Sequence, residues 1–204
     1  MGYAEDTDYA TRNLIHLISH EELELRRLID ALRTEEAKYK AYQWDFETSE
    51  FHEDFSDAYV QGAFIRMATA HRDAEKLRAQ MSTLQASIGT RQAAIQAMCG
   101  ALLQIAKQGI SLVHGNLLAA PTGRLLSGIA LKDIVWQARN QALHYEDGQF
   151  RQPVIDLFQR LEATFGQTFS LTAHPQQSRA KQIVVLLGWT TYDEFHSDLK
   201  RLGL

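Results

Sequence analysis

The stretch that decides the fold is Met67-Ala-Thr-Ala70-His-Arg-Asp-Ala74-Glu-Lys-Leu77-Arg-Ala-Gln-Met81-Ser-Thr-Leu84-Gln-Ala-Ser-Ile88. Met67, Ala70, Ala74, Leu77, Met81, Leu84 and Ile88 recur three and four residues apart, the spacing of a heptad seam on an α-helix. The spacing resumes after Gly89-Thr90 at Ile95, Met98, Leu102 and Ile105, with Arg91 where the seam wants an apolar residue. Gly89 and Thr90 read as a C-cap followed by an N-cap, so a break is expected there, with one very long helix as the alternative. Upstream, Leu14, Leu17/Ile18, Leu25, Leu28/Ile29 and Leu32 give residues 9–42 a second helical stripe. Trp44, Asp45 and Phe46, within 43–49, then read as a corner, with Thr48 or Ser49 capping the next helix and Glu50 and Glu53 near its positive end. Residues 1–89 are therefore expected to form a long antiparallel hairpin or coiled coil.

Downstream, residues 115–128 hold Asn116, Pro121-Thr-Gly123 and Ser127-Gly128, the longest loop-like stretch. Helices are expected over 129–145, over 153–165 behind Pro153, over 178–187 and over 191–202, with Gln167–Thr172 as a short extended piece. Residues 90–204 thus read as a helical bundle, separate from the hairpin or continuous with it. The class is all-α.

The totals narrow the function. The chain has 204 residues, 45% of them hydrophobic, 23% charged and only 3 prolines, enough for a buried core. A single cysteine, Cys99, excludes a disulfide framework. No apolar run has membrane-spanning length and the first residues are acidic and polar, so a cytoplasmic protein away from the membrane is expected. The net charge of −4 argues against coating nucleic acid by bulk electrostatics. The charge is uneven: residues 1–83 carry 10 basic against 17 acidic side chains, whereas 84–140 carry Arg91, Lys107, Arg124, Lys132 and Arg139 against Asp133 alone.

That basic stretch ends in Trp136-Gln-Ala-Arg139-Asn140-Gln-Ala-Leu-His144-Tyr145. Arginine binds phosphate and imidazoles move protons near neutral pH, so the set suits chemistry on a phosphodiester. Arg-x-x-x-x-His alone is weak, because chance gives roughly half a match in a chain of this composition, and Arg66…His71 is a second one. Adding Asn after Arg lowers the expectation to about one in a hundred. Asn140 and His144 share a helix face, which lets the amide orient the ring. Arg139 and His144 lie about 140° apart around a helix. They converge only if the helix ends near His144 or if a second copy completes the site, and the second route predicts a cleft in a homodimer. The bland alternative pairs Arg139 with Asp133 or Glu146 and has His144 and Tyr145 finish the helix.

Ala138-Arg139-Asn140-Gln-Ala-Leu-His144-Tyr145 resembles the signature of the HEPN superfamily, small all-helical domains many of which are metal-independent ribonucleases. The resemblance covers the motif helix and, in general character, its apolar neighbours. It implies a HEPN-like bundle with Arg139 and His144 catalytic and Asn140 as their polar partner. His144 would be general acid or base at the ribose 2′-hydroxyl or the leaving oxygen, and Arg139 would hold the scissile phosphate. The implied role is toxin or defence, with RNA as substrate and an antitoxin or regulatory protein as a further partner. Tyr145, directly after the histidine, and Asp54 and Asp57, with Glu53, are supporting candidates. No cofactor and no metal are expected. The competing function is a non-catalytic protein-interaction or nucleotide-binding module.

Other constellations are thinner. His16 and His20 with Glu24 have chelating spacing but no further ligand motif. No Glu-x-x-His pair, Gly-rich phosphate loop or nucleophile elbow occurs. Trp136, Trp189 and Phe195 read as core.

Overall fold

The computed structural model describes residues 2–48 and 57–204. Its described elements are mostly helical: α1 Tyr3–Asp6, α2 Asp8–Thr48, α3 Asp57–His114, α4 Leu131–His144, α5 Gln152–Phe165, α6 Ala180–Leu186 and α7 Tyr192–Arg201. Two short strands, β1 Leu125–Leu126 and β2 Ile129–Ala130, precede α4. No helix among the described residues is long and apolar enough to cross a membrane. The chain divides into a unit of Met1–Glu21 with Ala93–Leu204 and a unit of Glu22–Gln92, so the N-terminal residues group with the C-terminal half rather than with the hairpin expected over 1–89.

Among the described residues, two expected breaks are absent. Helix α3 runs unbroken through Gly89-Thr90. Gly89 lacks the positive φ of a left-handed cap, and the Thr90 hydroxyl donates to the Ala86 carbonyl at 3.1 Å, one turn back. Threonine bonded in this way sits inside a helix rather than at its start. A lone exposed glycine costs about 1 kcal/mol in a helix interior, too little to end one of 58 residues. Likewise α2 continues through the expected corner to Thr48. Gln43 donates to Glu47 at 2.9 Å and the Thr48 hydroxyl to the Trp44 carbonyl at 2.8 Å, both contacts within a helix. Ser49, Glu50, Glu53 and Asp54 lie outside the described residues.

In the Glu22–Gln92 unit the seam has a physical role. Ala70 and Ala74 are buried, and Met67, Leu77, Met81, Leu84 and Ile88 are all half-buried. On α2, Leu25 is buried and Leu28, Ile29 and Leu32 are half-buried. The Arg78 guanidinium donates to the Tyr39 hydroxyl and lies 4.9 Å from its ring centre. Tyr39, Gln43 and Glu47 line a pocket with Arg78, Ala74 and His71. Numbers rise on one helix as they fall on the other, which makes the pair antiparallel.

The other unit holds the larger core. Ile95, Cys99, Leu102, Leu103, Ala106 and Ile110 present one continuous buried stripe of α3. Leu131, Ile134, Val135 and Ala138 of α4, Val154, Leu157, Phe158 and Leu161 of α5, and Ile183 of α6 are buried as well, and α4 packs on both α5 and α6. Trp189 and Phe195 are buried, edge to face at 4.7 Å. Beside them Asp198, only 2% exposed at its side chain, accepts from the Trp189 indole at 2.9 Å and from Arg124 Nε at 2.8 Å. Arg201 approaches the same carboxylate at 3.0 Å. Two arginines and an indole satisfy a buried carboxylate that would otherwise be costly. Helix α1 approaches α3 at Gly109, where a Cβ would fall 2.5 Å from the Tyr3 ring. The close approach lets the Tyr3 hydroxyl donate to the Ile105 carbonyl at 2.7 Å.

The hairpin β1–β2 pairs Leu125 with Ala130 and Leu126 with Ile129. Its two-residue turn, Ser127 at φ 47° and Gly128 at φ 81°, has the two positive dihedrals of a type I′ connection. Strand β2 runs straight into α4, so the hairpin fixes where the motif helix begins. The piece expected to be extended near Gln167 is instead a 3₁₀ turn, Gln167–Phe169.

Candidate functional site

Helix α4 places the motif. Its buried positions, Leu131, Ile134, Val135, Ala138 and Gln141, take up one face. The buried amide of Gln141 accepts from the Arg179 backbone N–H and donates to the Gln177 carbonyl, both at 2.9 Å. The opposite side carries Trp136, Arg139, Asn140, Leu143 and His144.

The edge between these two faces meets α3 in antiparallel register. A Cβ on Gly100 would lie 3.8 Å from that of Ala142, Gln104 bonds Arg139, and Lys107 lies over Trp136. Four then three residues forward on α3 match three and three back on α4, so the two helices run antiparallel at this contact.

Arg139 is half-buried. Its Nε donates to Gln104 Oε1, and its Nη1 donates to Asn140 Oδ1 at 3.4 Å. Asn140 in turn donates to Gln137 Oε1 at 3.2 Å. Neither Asp133 nor Glu146 pairs with Arg139, so the bland pairing is overturned. Three neutral amides hold the side-chain row in place and leave the guanidinium charge uncompensated.

Lys107 adds a second positive charge. Its ammonium sits 4.4 Å from the Trp136 ring centre, a cation–π contact. Burial, and then the nearby Arg139 charge, pull its pKa below the usual lysine value. Trp136 is accordingly a half-buried seat for a cation rather than the core residue expected.

The α-helix ends at His144. Tyr145–Asp147 continue as a 3₁₀ turn closed by Gly148 at φ 65°. The His144 imidazole, 54% exposed, faces Asp147 across 3.4 Å from Nδ1. The structure thus brings Arg139 and Asn140 together, and among the described residues no hydrogen bond links Arg139 to His144. The Tyr145 hydroxyl donates to Glu146 at 3.0 Å. That bond, followed by desolvation, raises its pKa, which keeps the phenol protonated. Asp57 opens α3 as its first residue.

Gln104 and Lys107 were missed in the sequence because they reach the motif from another helix, although Lys107 belongs to the basic stretch that ends at Arg139. The arrangement presents two neighbouring cations held by amides and an aromatic ring, groups whose chemistry suits an anion, with a half-exposed imidazole at the end of the same helix. Among the described residues no group of three or more His, Cys, Asp or Glu is placed to hold a metal ion, so His16, His20 and Glu24 do not form one. No family model, no curated protein and no solved structure matches the chain.

Proposed function

We propose that the protein is a metal-independent endoribonuclease of HEPN type, acting as a homodimer in a toxin or defence role. The observation that carries this reading is the half-buried Arg139–Asn140 side-chain pair of α4, held without an acidic partner about one turn from the half-exposed His144. The fold assigned is a HEPN-like bundle over residues 90–204, preceded by a coiled-coil hairpin.

In this mechanism Arg139 binds the scissile phosphate and stabilises the charge that grows on its oxygens. An imidazole takes the proton from the ribose 2′-hydroxyl, whose oxygen forms a bond to phosphorus as the bond to the 5′-oxygen breaks. The departing 5′-oxygen takes up a proton from a second acid, which the partner copy's imidazole supplies. Asn140 orients the guanidinium here, in place of the imidazole-orienting role read from the sequence. The wide angle between Arg139 and His144 supports a site completed by a second copy. So does Leu143, an apolar side chain left 56% exposed between them.

The test is RNA cleavage in EDTA by wild type, Arg139→Ala and His144→Ala. Loss of activity in both variants supports the enzyme. No cleavage by pure wild type, or equal cleavage by all three, overturns it. A nucleotide-binding module without cleavage is favoured by one observation, the lack of an Arg139–His144 bond, and inactivity of the wild type with retained RNA binding would establish it.

A further inference from the structure

Lys107 and Arg139 are two cations on neighbouring helices, and neither is paired to a carboxylate among the described residues. Lys107 and Arg139 repel each other across the α3–α4 seam, and none of the ion pairs among the described residues includes either of them. Keeping like charges together costs free energy unless an anion offsets it. The remaining contacts of both side chains are those that hold them still. Gln104 takes one edge of the guanidinium, Asn140 takes another, and the Trp136 ring seats the ammonium. The second guanidinium nitrogen, Nη2, has no protein partner among the described residues, nor has the Lys107 ammonium a hydrogen-bond acceptor. Two neighbouring donors held in place with no protein acceptor are open to an oxyanion.

We infer that Lys107 is a second phosphate-binding residue of the motif, and that the backbone phosphate of a single RNA strand is held jointly by Arg139 and Lys107 along the α3–α4 seam. Trp136 is the positioning residue for Lys107. This rests on the ribonuclease reading for the choice of RNA, but it concerns binding and not cleavage. The division of labour follows from the side chains. Arginine offers a planar fork matched to two phosphate oxygens, whereas lysine acts as a point charge.

The test uses the full chain carrying His144→Ala, so that cleavage does not disturb equilibrium, and a short fluorescein-labelled single-stranded RNA of mixed sequence. Affinity is read by anisotropy across a salt series. Each phosphate contact to a single strand contributes about 0.7 to the slope of log affinity against log salt. Adding Lys107→Gln is expected to reduce the slope by about that amount, Lys107→Arg to restore it, and Lys200→Gln, at an exposed position of α7, to leave it unchanged. An unchanged slope for Lys107→Gln, an equal reduction by Lys200→Gln, or no RNA binding at all overturns the inference. If wild type fails to cleave RNA while the slope behaves as expected, the ribonuclease reading falls and the phosphate subsite stands. Cleavage lost on His144→Ala with an unchanged Lys107→Gln slope has the opposite meaning.

Discussion

The Nε of Arg139 donates to Oε1 of Gln104, a residue 35 positions earlier on a different helix. Arginine carries five N–H donors on a long flexible stem, and a bond to one edge fixes the plane of the whole fork. Gln104 is therefore a positioning residue. Gln104→Ala is expected to lower kcat by about tenfold with little change in KM, against the 10²–10³-fold loss typical of removing a donor to the reacting oxygens, expected for Arg139→Ala. A Gln104→Ala enzyme with the parameters of wild type would show that Arg139 finds its place unaided.

Lys107 gives the site a dependence on pH. Desolvation, with the Arg139 charge behind it, lowers its pKa, so its charge is present below that value and is lost as pH rises through it. That loss comes at a lower pH than for an ordinary lysine. RNA affinity should weaken on the alkaline side before ordinary lysines titrate, and Lys107→Arg should keep affinity flat over the same range because guanidinium stays protonated. Parallel alkaline profiles for the two proteins would refute this.

Tyr145 is expected to be dispensable. Its hydroxyl donates to Glu146 and its pKa is raised, so it offers no phenolate near neutral pH. Tyr145→Phe should retain cleavage within about threefold of wild type, well short of the 10²-fold or greater cost of losing an acid–base group. A loss of that larger size would return the tyrosine to the reaction.

Two glycines of one helix should respond in opposite directions. At Gly89 a Cβ meets nothing within 4 Å, so Gly89→Ala should stabilise the protein by up to about 1 kcal/mol through helix propensity alone. At Gly109 the new methyl would lie 2.5 Å from the Tyr3 ring, and displacing α1 should outweigh the same gain. Melting temperatures that move together would contradict an unbroken α3.

The buried carboxylate of Asp198 offers a check on the bundle itself. Asp198→Ala removes the shared acceptor of Arg124, Trp189 and Arg201. Because Arg124 keeps some solvent contact, the loss is expected at about 3 kcal/mol, the lower end for breaking a buried pair. Denaturant unfolding measures it, and a change within about 0.5 kcal/mol, the range of an ordinary surface substitution, would mean that the network carries little stability.

The all-α class was legible because apolar spacing persists over long stretches, and Met67, Ala70, Ala74 and their successors are the less exposed positions of α3. The breaks were misread for a local reason. Gly89-Thr90 carries the same letters as a helix end, but a cap needs a change of backbone dihedral that composition does not report. The hairpin at 125–130 was hidden by its length, since two-residue strands show no alternation. At the site, the Arg139–Asn140 adjacency could be read directly from the sequence. The contributions of Gln104 and Lys107 depend on helix register, which a single sequence does not contain.

That register has a consequence for how the chain can change over time. Gln104 and Lys107 face Arg139 and Trp136 only while both helices keep their residue count. A one-residue insertion in either segment turns everything beyond it by about 100° and parts the two cations. Length variation among descendants of this sequence should therefore collect in the Ser127-Gly128 turn and the loop before it, and be purged between 100 and 107 and between 136 and 142.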